Sequence, residues 1–121
     1  MLESNTSSIV VKVSYGEIDF MLTGDAPLSI EDYLSVAYGA ALESEVLKLG
    51  HHGSRTSTSD LFLETVKPQY AVVSSGRDNR YGHPHEEVVN RVLGRNIQLS
   101  NTAIDRAVHF KTDGQQVWQE K

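Results

Sequence analysis

Apolar positions along this chain come in short runs separated by polar turn clusters. Residues 8–14 (SIVVKVS) are rich in β-branched side chains, and residues 18–23 (IDFMLT) form a similar run after Tyr15-Gly16-Glu17. Two such runs around a tight turn predict an antiparallel hairpin. Gly24, Asp25, Ala26 and Pro27 end the second run sharply. Leu28, Ile30, Leu34 and Ala37 or Tyr38 then recur at helical spacing. Ser29 is placed to cap that helix, and Glu31 and Asp32 fall in its first turn, where they suit its dipole. Residues 45–49 (EVLKL) predict a short strand running into Gly50-His51-His52-Gly53. A helix over 60–66, capped by Ser57 or Ser59 and stopped by Lys67-Pro68, leads to a buried strand at 69–75 (QYAVVSS). Pro84 suits the first turn of a helix through Val88, Val89 and Val92, with Gly94 as its C-cap. Strands at 97–99, 107–111 and 116–119 complete the chain, the last two joined by an Asp113-Gly114 turn.

The order β-β-α-β-α-β-α-β-β-β predicts an α/β fold, a mixed sheet with helices on one face and antiparallel strands at its ends. The other face is expected to need a cover from elsewhere. With 121 residues and 39% hydrophobic content, the chain has the size of one domain, or of part of one. It shows no repeat, linker or low-complexity tract. The net charge of −5 removes the electrostatic case for strong non-specific binding to nucleic acid. It leaves a nuclease open, because a metal ion neutralises phosphate locally. With no cysteine, there are neither disulfides nor thiolate ligands. No apolar run approaches the ~20 residues that span a bilayer, and the N-terminus has no signal-peptide core, so the chain is expected to be soluble.

Four of the five histidines lie in two polar segments, LKLGHHGSRTSTS and NRYGHPH, each following a strand-like run. Open α/β sheets place their chemistry at such strand ends. Asp25, after a Thr-Gly step, suits a divalent ion; equally, it suits an Asx-turn or helix cap before Pro27. If strand geometry persists, His51 and His52 point to opposite sides, one to ligate a metal and the other to pack or to bind substrate. Asn79, Arg80, Tyr81, His83 and His85 offer amide, guanidinium, phenol and imidazole groups to an anionic substrate, or form a polar loop of capping and solvent-facing side chains. Ser54, Thr56, Ser57, Thr58 and Ser59 offer hydroxyls to phosphate, or form a flexible loop leading to a cap. His109 alternates in a strand and is expected at the surface or in packing. There is no G-x-S-x-G elbow, Walker loop or G-x-G-x-x-G.

Taken together, FMLTGD, VLKLGHHGSRTSTS and VSSGRDNRYGHPHEEVVNRV resemble the metallo-β-lactamase-like domain of the competence protein ComEC family and its soluble relatives. The resemblance covers residues 8–93 with three motifs in order; SNTAIDR departs from the family's usual turn. It implies an αββα sandwich holding one or two Zn or Mn ions. It also implies a nuclease or phosphodiesterase in which metal-bound hydroxide attacks phosphorus. Asp25 then matches the metal-bridging aspartate and His51 the late histidine ligand. Ser54, His52, Tyr81 and His85 fall to substrate contacts, and His83 and Asn79 to catalysis. The HxHxDH signature and the middle histidine ligand are absent. Residues 1–121 are therefore expected to be the C-terminal half of such a domain, inactive alone, with a metal site completed by the missing N-terminal half. The resemblance further implies a parent protein that is membrane-associated or extracytoplasmic in a bacterium, linked to DNA uptake. Two other readings compete: a binding or self-associating module whose open sheet face is covered by a second copy, and a non-metal fold with structural histidines.

Overall fold

A computed structural model describes residues 8–77 and 81–120. The strands are β1 (Val11–Tyr15), β2 (Ile18–Leu22), β3 (Val46–Lys48), β4 (Tyr70–Val73), β5 (Gln98–Asn101), β6 (His109–Thr112) and β7 (Val117–Glu120). The helices are α1 (Leu28–Tyr38), α2 (Asp60–Val66), α3 (Glu86–Leu93) and the single turn α4 (Thr102–Asp105). Five strands form one sheet in the order β1-β2-β3-β4-β5. β1 runs antiparallel to β2, and β2 through β5 are parallel. The fold is thus the expected mixed α/β sheet, but an antiparallel strand stands at one end only: β5 closes the other end in parallel, and β6 and β7 pair with each other apart from it.

Period-two alternation sorts the sheet's side chains. Met21, Leu47, Ala71 and Val73 project to one face. There they meet Phe62, Leu63 and Val66 of α2, Val88 and Val92 of α3, and the partly buried Leu34 of α1. Phe62 is buried, and its truncation to alanine would cost about 3–5 kcal/mol. On the other face Ile18, Val46 and Tyr70 meet Val117 and Phe110 of the β6–β7 hairpin, which forms a two-stranded sheet of its own. The hairpin is seated where Glu17 N–H donates to the Gly114 carbonyl; a Cβ on Gly16 (φ +62°) would collide with the Gly114 backbone. It covers only part of that face. Val11, Val13 and Leu22 on the sheet and Trp118 on the hairpin stay exposed at 41%, 48%, 42% and 43%.

Several local expectations are corrected. Ser29 does not cap α1; Pro27 holds the N-cap position with no side-chain bond, and Ile30 and Glu31 N–H donate to its carbonyl. Ala37 and Tyr38 are exposed, while the buried positions of α1 are Glu31 and Ser35. Pro84 precedes α3, whose N-cap is His85. Gly94 is the C-cap of α3 as expected, although its backbone is right-handed (φ −65°) and the left-handed residue comes at Asn96 (φ +59°). SNTAIDR forms α4, where Asn101 caps by accepting from Ala103 N–H; a single turn shows no periodicity to read. α2 has the expected bounds, with Ser59 Oγ accepting from Phe62 N–H.

Candidate functional site

β2 and β3 end side by side, and their following loops are tied together. Thr23 is buried and its Oγ1 donates to the Lys48 carbonyl at 3.1 Å. His51 N–H donates to the Gly24 carbonyl at 2.9 Å, which sets the His51 loop directly against the Asp25 loop. Lys48 lies half-buried beside them. Burial pushes its ammonium pKa down, and the Asp25 carboxylate opposes that shift. Lys48 was not singled out from the sequence; its alternation in EVLKL onto the open face was the available signal.

β3 stops at Lys48, so the expected strand geometry at the histidine pair does not persist. His51 (φ +49°, ψ +46°) and His52 (φ +55°, ψ +27°) are both left-handed. Side chains with a Cβ pay about 1–2 kcal/mol each for this backbone. Hydrogen bonds hold them there: Ser54 N–H donates to the His51 carbonyl, and His85 N–H to the Gly53 carbonyl. Gly53 (φ +81°) lets the loop close on Pro84 and Val73, because a Cβ there would lie 2.6 Å from Pro84 Cβ.

The two segments bring their rings together. His51 and His52 centroids are 6.4 Å apart, and His83 lies 5.8 Å from the first and 6.2 Å from the second. His85 meets His83 edge-on at 4.8 Å, and Tyr81 stacks on His83 at 5.6 Å. Partly desolvated and beside three other imidazoles, His83 has a lowered pKa.

Hydrogen bonds give these histidines different roles. His52 Nδ1 lies 2.7 Å from the Ser74 carbonyl, so this nitrogen carries the proton and Nε2 presents a lone pair. His51 Nδ1 lies 3.3 Å from Thr56 Oγ1, which in turn bonds Ser54 Oγ at 2.9 Å. In His85, Nδ1 accepts from Arg55 N–H at 2.8 Å and Nε2 lies 3.0 Å from the Tyr81 carbonyl. Both nitrogens of His85 are thereby engaged in bracing the two segments. Ser54 is buried and tied to Thr56, while Tyr81 is 68% exposed. Asn79 and Arg80 lie outside the described residues. His109 is exposed on β6.

The hydroxyl run is a built structure rather than a flexible lead-in. Ser57 Oγ donates to the Ala26 carbonyl at 2.6 Å, and Leu28 N–H donates to the Thr56 carbonyl. Both carboxylate oxygens of Glu31 are used, one accepting from Thr58 N–H and the other from Ser59 N–H, while Arg91 donates to the Thr58 carbonyl. Burial pushes the Glu31 pKa up to about 7. The sequence offered no sign of this, because a glutamate in a first helical turn reads as a dipole partner.

Among the described residues, no three His, Asp or Glu side chains form a group that could hold a metal ion. The donor types of Asp25 and His51 suit Zn or Mn; their number does not close a coordination sphere. A cavity of about 210 Å3 opens beside the cluster, lined by His52, Ser75, Gly76, Tyr81 and His83.

No family model matches the chain. The chain is similar to part of much longer proteins. It is 45% identical over 109 residues to "Competence protein ComA" of Neisseria gonorrhoeae, an alignment covering 90% of this chain and 16% of that protein. It is 32% identical over 107 residues to "ComE operon protein 3" of Bacillus subtilis, covering 88% and 14%. To "Recombination protein 2" of Haemophilus influenzae it is 38% identical over 104 residues, covering 86% and 13%. The chain therefore spans about one sixth or less of the length of these relatives. No helix among the described residues is long and apolar enough to cross a membrane.

Proposed function

We propose that this chain supplies part of the active site of a metal-dependent phosphodiesterase, a DNA nuclease serving DNA uptake. The observation that carries the reading is the meeting of His51, His52 and His83 with Tyr81 at the ends of β3 and β4, with the His51 loop bonded to the Asp25 loop. The similarity to a protein named "Competence protein ComA" supports a role in competence, to which the DNA-uptake reading belongs. In this reading the chain forms the C-terminal half of a metallo-β-lactamase-like sandwich. The N-terminal half covers the exposed Val11, Val13 and Leu22 face and supplies the remaining ligands.

Asp25 and His51 would hold a Zn or Mn ion together with those groups. When bound, the ion supplies Lewis-acid polarisation of a phosphoryl oxygen and activation of water. His52 keeps its Nε2 lone pair for a ligand because the Ser74 carbonyl holds Nδ1–H. His83, its pKa lowered by partial desolvation and by its imidazole neighbours, serves as a proton acceptor. Lys48 balances the Asp25 charge. Asn79 joins the substrate loop, and Ser54 and His85 hold its frame.

Hydrolysis of a DNA phosphodiester by the full polypeptide, with added Mn or Zn, tests this. Asp25→Ala and His51→Ala are each expected to lower kcat at least 100-fold, and the 121-residue chain alone to be inactive. Undiminished turnover in both variants would contradict the reading. The exposed Val11, Val13, Leu22 and Trp118 favour a second one, a non-catalytic module whose open face is covered by another copy. A monomeric mass at high micromolar concentration would rule that out.

A further inference from the structure

Beside the imidazole cluster, the rings of Tyr81, His83 and His52 form a column. Tyr81 and His83 are inclined by 23°, and His83 and His52 by 17°. All three rings line the cavity of about 210 Å3, together with Ser75 and Gly76. Gly76 brings no side chain to the lining. Ser75 is already committed: its N–H donates to Thr102 Oγ1 and its Oγ to Asn101 Oδ1. The Ser75 N–H and Oγ–H are thus spent on Thr102 and Asn101, and the rings are the larger surfaces of the lining. Tyr81, 68% exposed, is the open end of the column.

We propose that this cavity is a base-stacking subsite, taking one nucleobase of a single-stranded nucleic acid against Tyr81 and His83. The inference rests on the phosphodiester reading above and names its substrate class. A planar heteroaromatic ring continues a column of near-parallel rings, and stacking of this kind tolerates every base. His52 and His83 belong to both cavity and cluster, so a base seated there brings its adjoining phosphodiester to the imidazoles. Stacking gives affinity that does not depend on phosphate charge, so the base-dependent part of binding is expected to vary little with salt. Duplex DNA, with its bases stacked internally, is excluded from the subsite.

The test is equilibrium binding to the full polypeptide, with chelator present, of a short single-stranded oligonucleotide carrying 2-aminopurine. An abasic oligomer of equal length serves as the comparison. The expected result is saturable quenching, binding of the abasic oligomer at least ten-fold weaker, and a loss of five-fold or more in Tyr81→Ala that Tyr81→Phe does not show. Tyr33→Ala, at an exposed tyrosine on α1, should change nothing. Equal binding of both oligomers, unaffected by Tyr81→Ala, would overturn the subsite and leave the phosphodiesterase reading standing. Base-dependent binding without hydrolysis in Mn or Zn would keep the subsite and overturn the hydrolase. Binding of neither oligomer would overturn the subsite, and hydrolysis in Mn or Zn would then decide the phosphodiesterase reading by itself.

Discussion

At the scale of single residues, the site is organised by which nitrogen of each histidine is already engaged. The Ser74 carbonyl holds His52 Nδ1–H, whereas Arg55 N–H donates to His85 Nδ1 and pushes its proton to Nε2. Two-bond proton–nitrogen spectra at pH 8 are therefore expected to show opposite neutral tautomers for these two rings. The same tautomer in both would contradict the assignment. Glu31 makes a second prediction. Its pKa is raised by burial from 4.5 to about 7, so folding takes up a proton between those values. The corresponding stabilisation, on the order of 3 kcal/mol, is full below pH 4.5 and lost as pH rises through about 7. Glu31→Ala leaves Thr58 and Ser59 N–H without acceptors and is expected to cost about 2–4 kcal/mol at pH 5. The deficit should shrink by pH 8, as denaturant titrations at the two pH values would read.

At the scale of elements, the helices and strands were largely legible because their signals are local. α2 could be bounded from Ser59 and from Lys67-Pro68, and the β1–β2 turn from Gly16. α4 was not legible, since one helical turn has no period. The left-handed pair His51-His52 was not legible either. Nothing in its residue types requires positive φ; the backbone bonds from His51 to Gly24, Ser54 to His51 and His85 to Gly53 hold the loop there. The junction between the two histidine segments should be correspondingly brittle. Gly53→Ala would place a Cβ 2.6 Å from Pro84 Cβ and 2.8 Å from Val73 Cγ2 at φ +81°. It is expected to cost 3 kcal/mol or more on the order-of-magnitude scale of strained core substitutions. Gly82→Ala, with φ +69° and nothing within 4 Å, should cost only about 1–2 kcal/mol. Equal melting losses for the two would show that crowding at Gly53 is not what shapes the loop.

At the scale of the whole molecule, one sheet face is packed by three helices and the other is half-dressed. The β6–β7 hairpin shields Ile18, Val46 and Tyr70, while the strand edge at Val11 and Val13 stays open. The order of elements foretold helices on one face and a second face in need of cover. The identity of its cover was not legible, because a sequence specifies its own packing surface and not the partner's. The metal site has the same character. Asp25 and His51 stand on adjoining loops, and the described residues offer no third ligand beside them.

The most direct test of this account is calorimetric titration of Zn and Mn into the full polypeptide, beside Asp25→Ala and His51→Ala. The account predicts stoichiometric binding that falls at least ten-fold in each variant while both remain folded. Affinity unchanged by either substitution would contradict it.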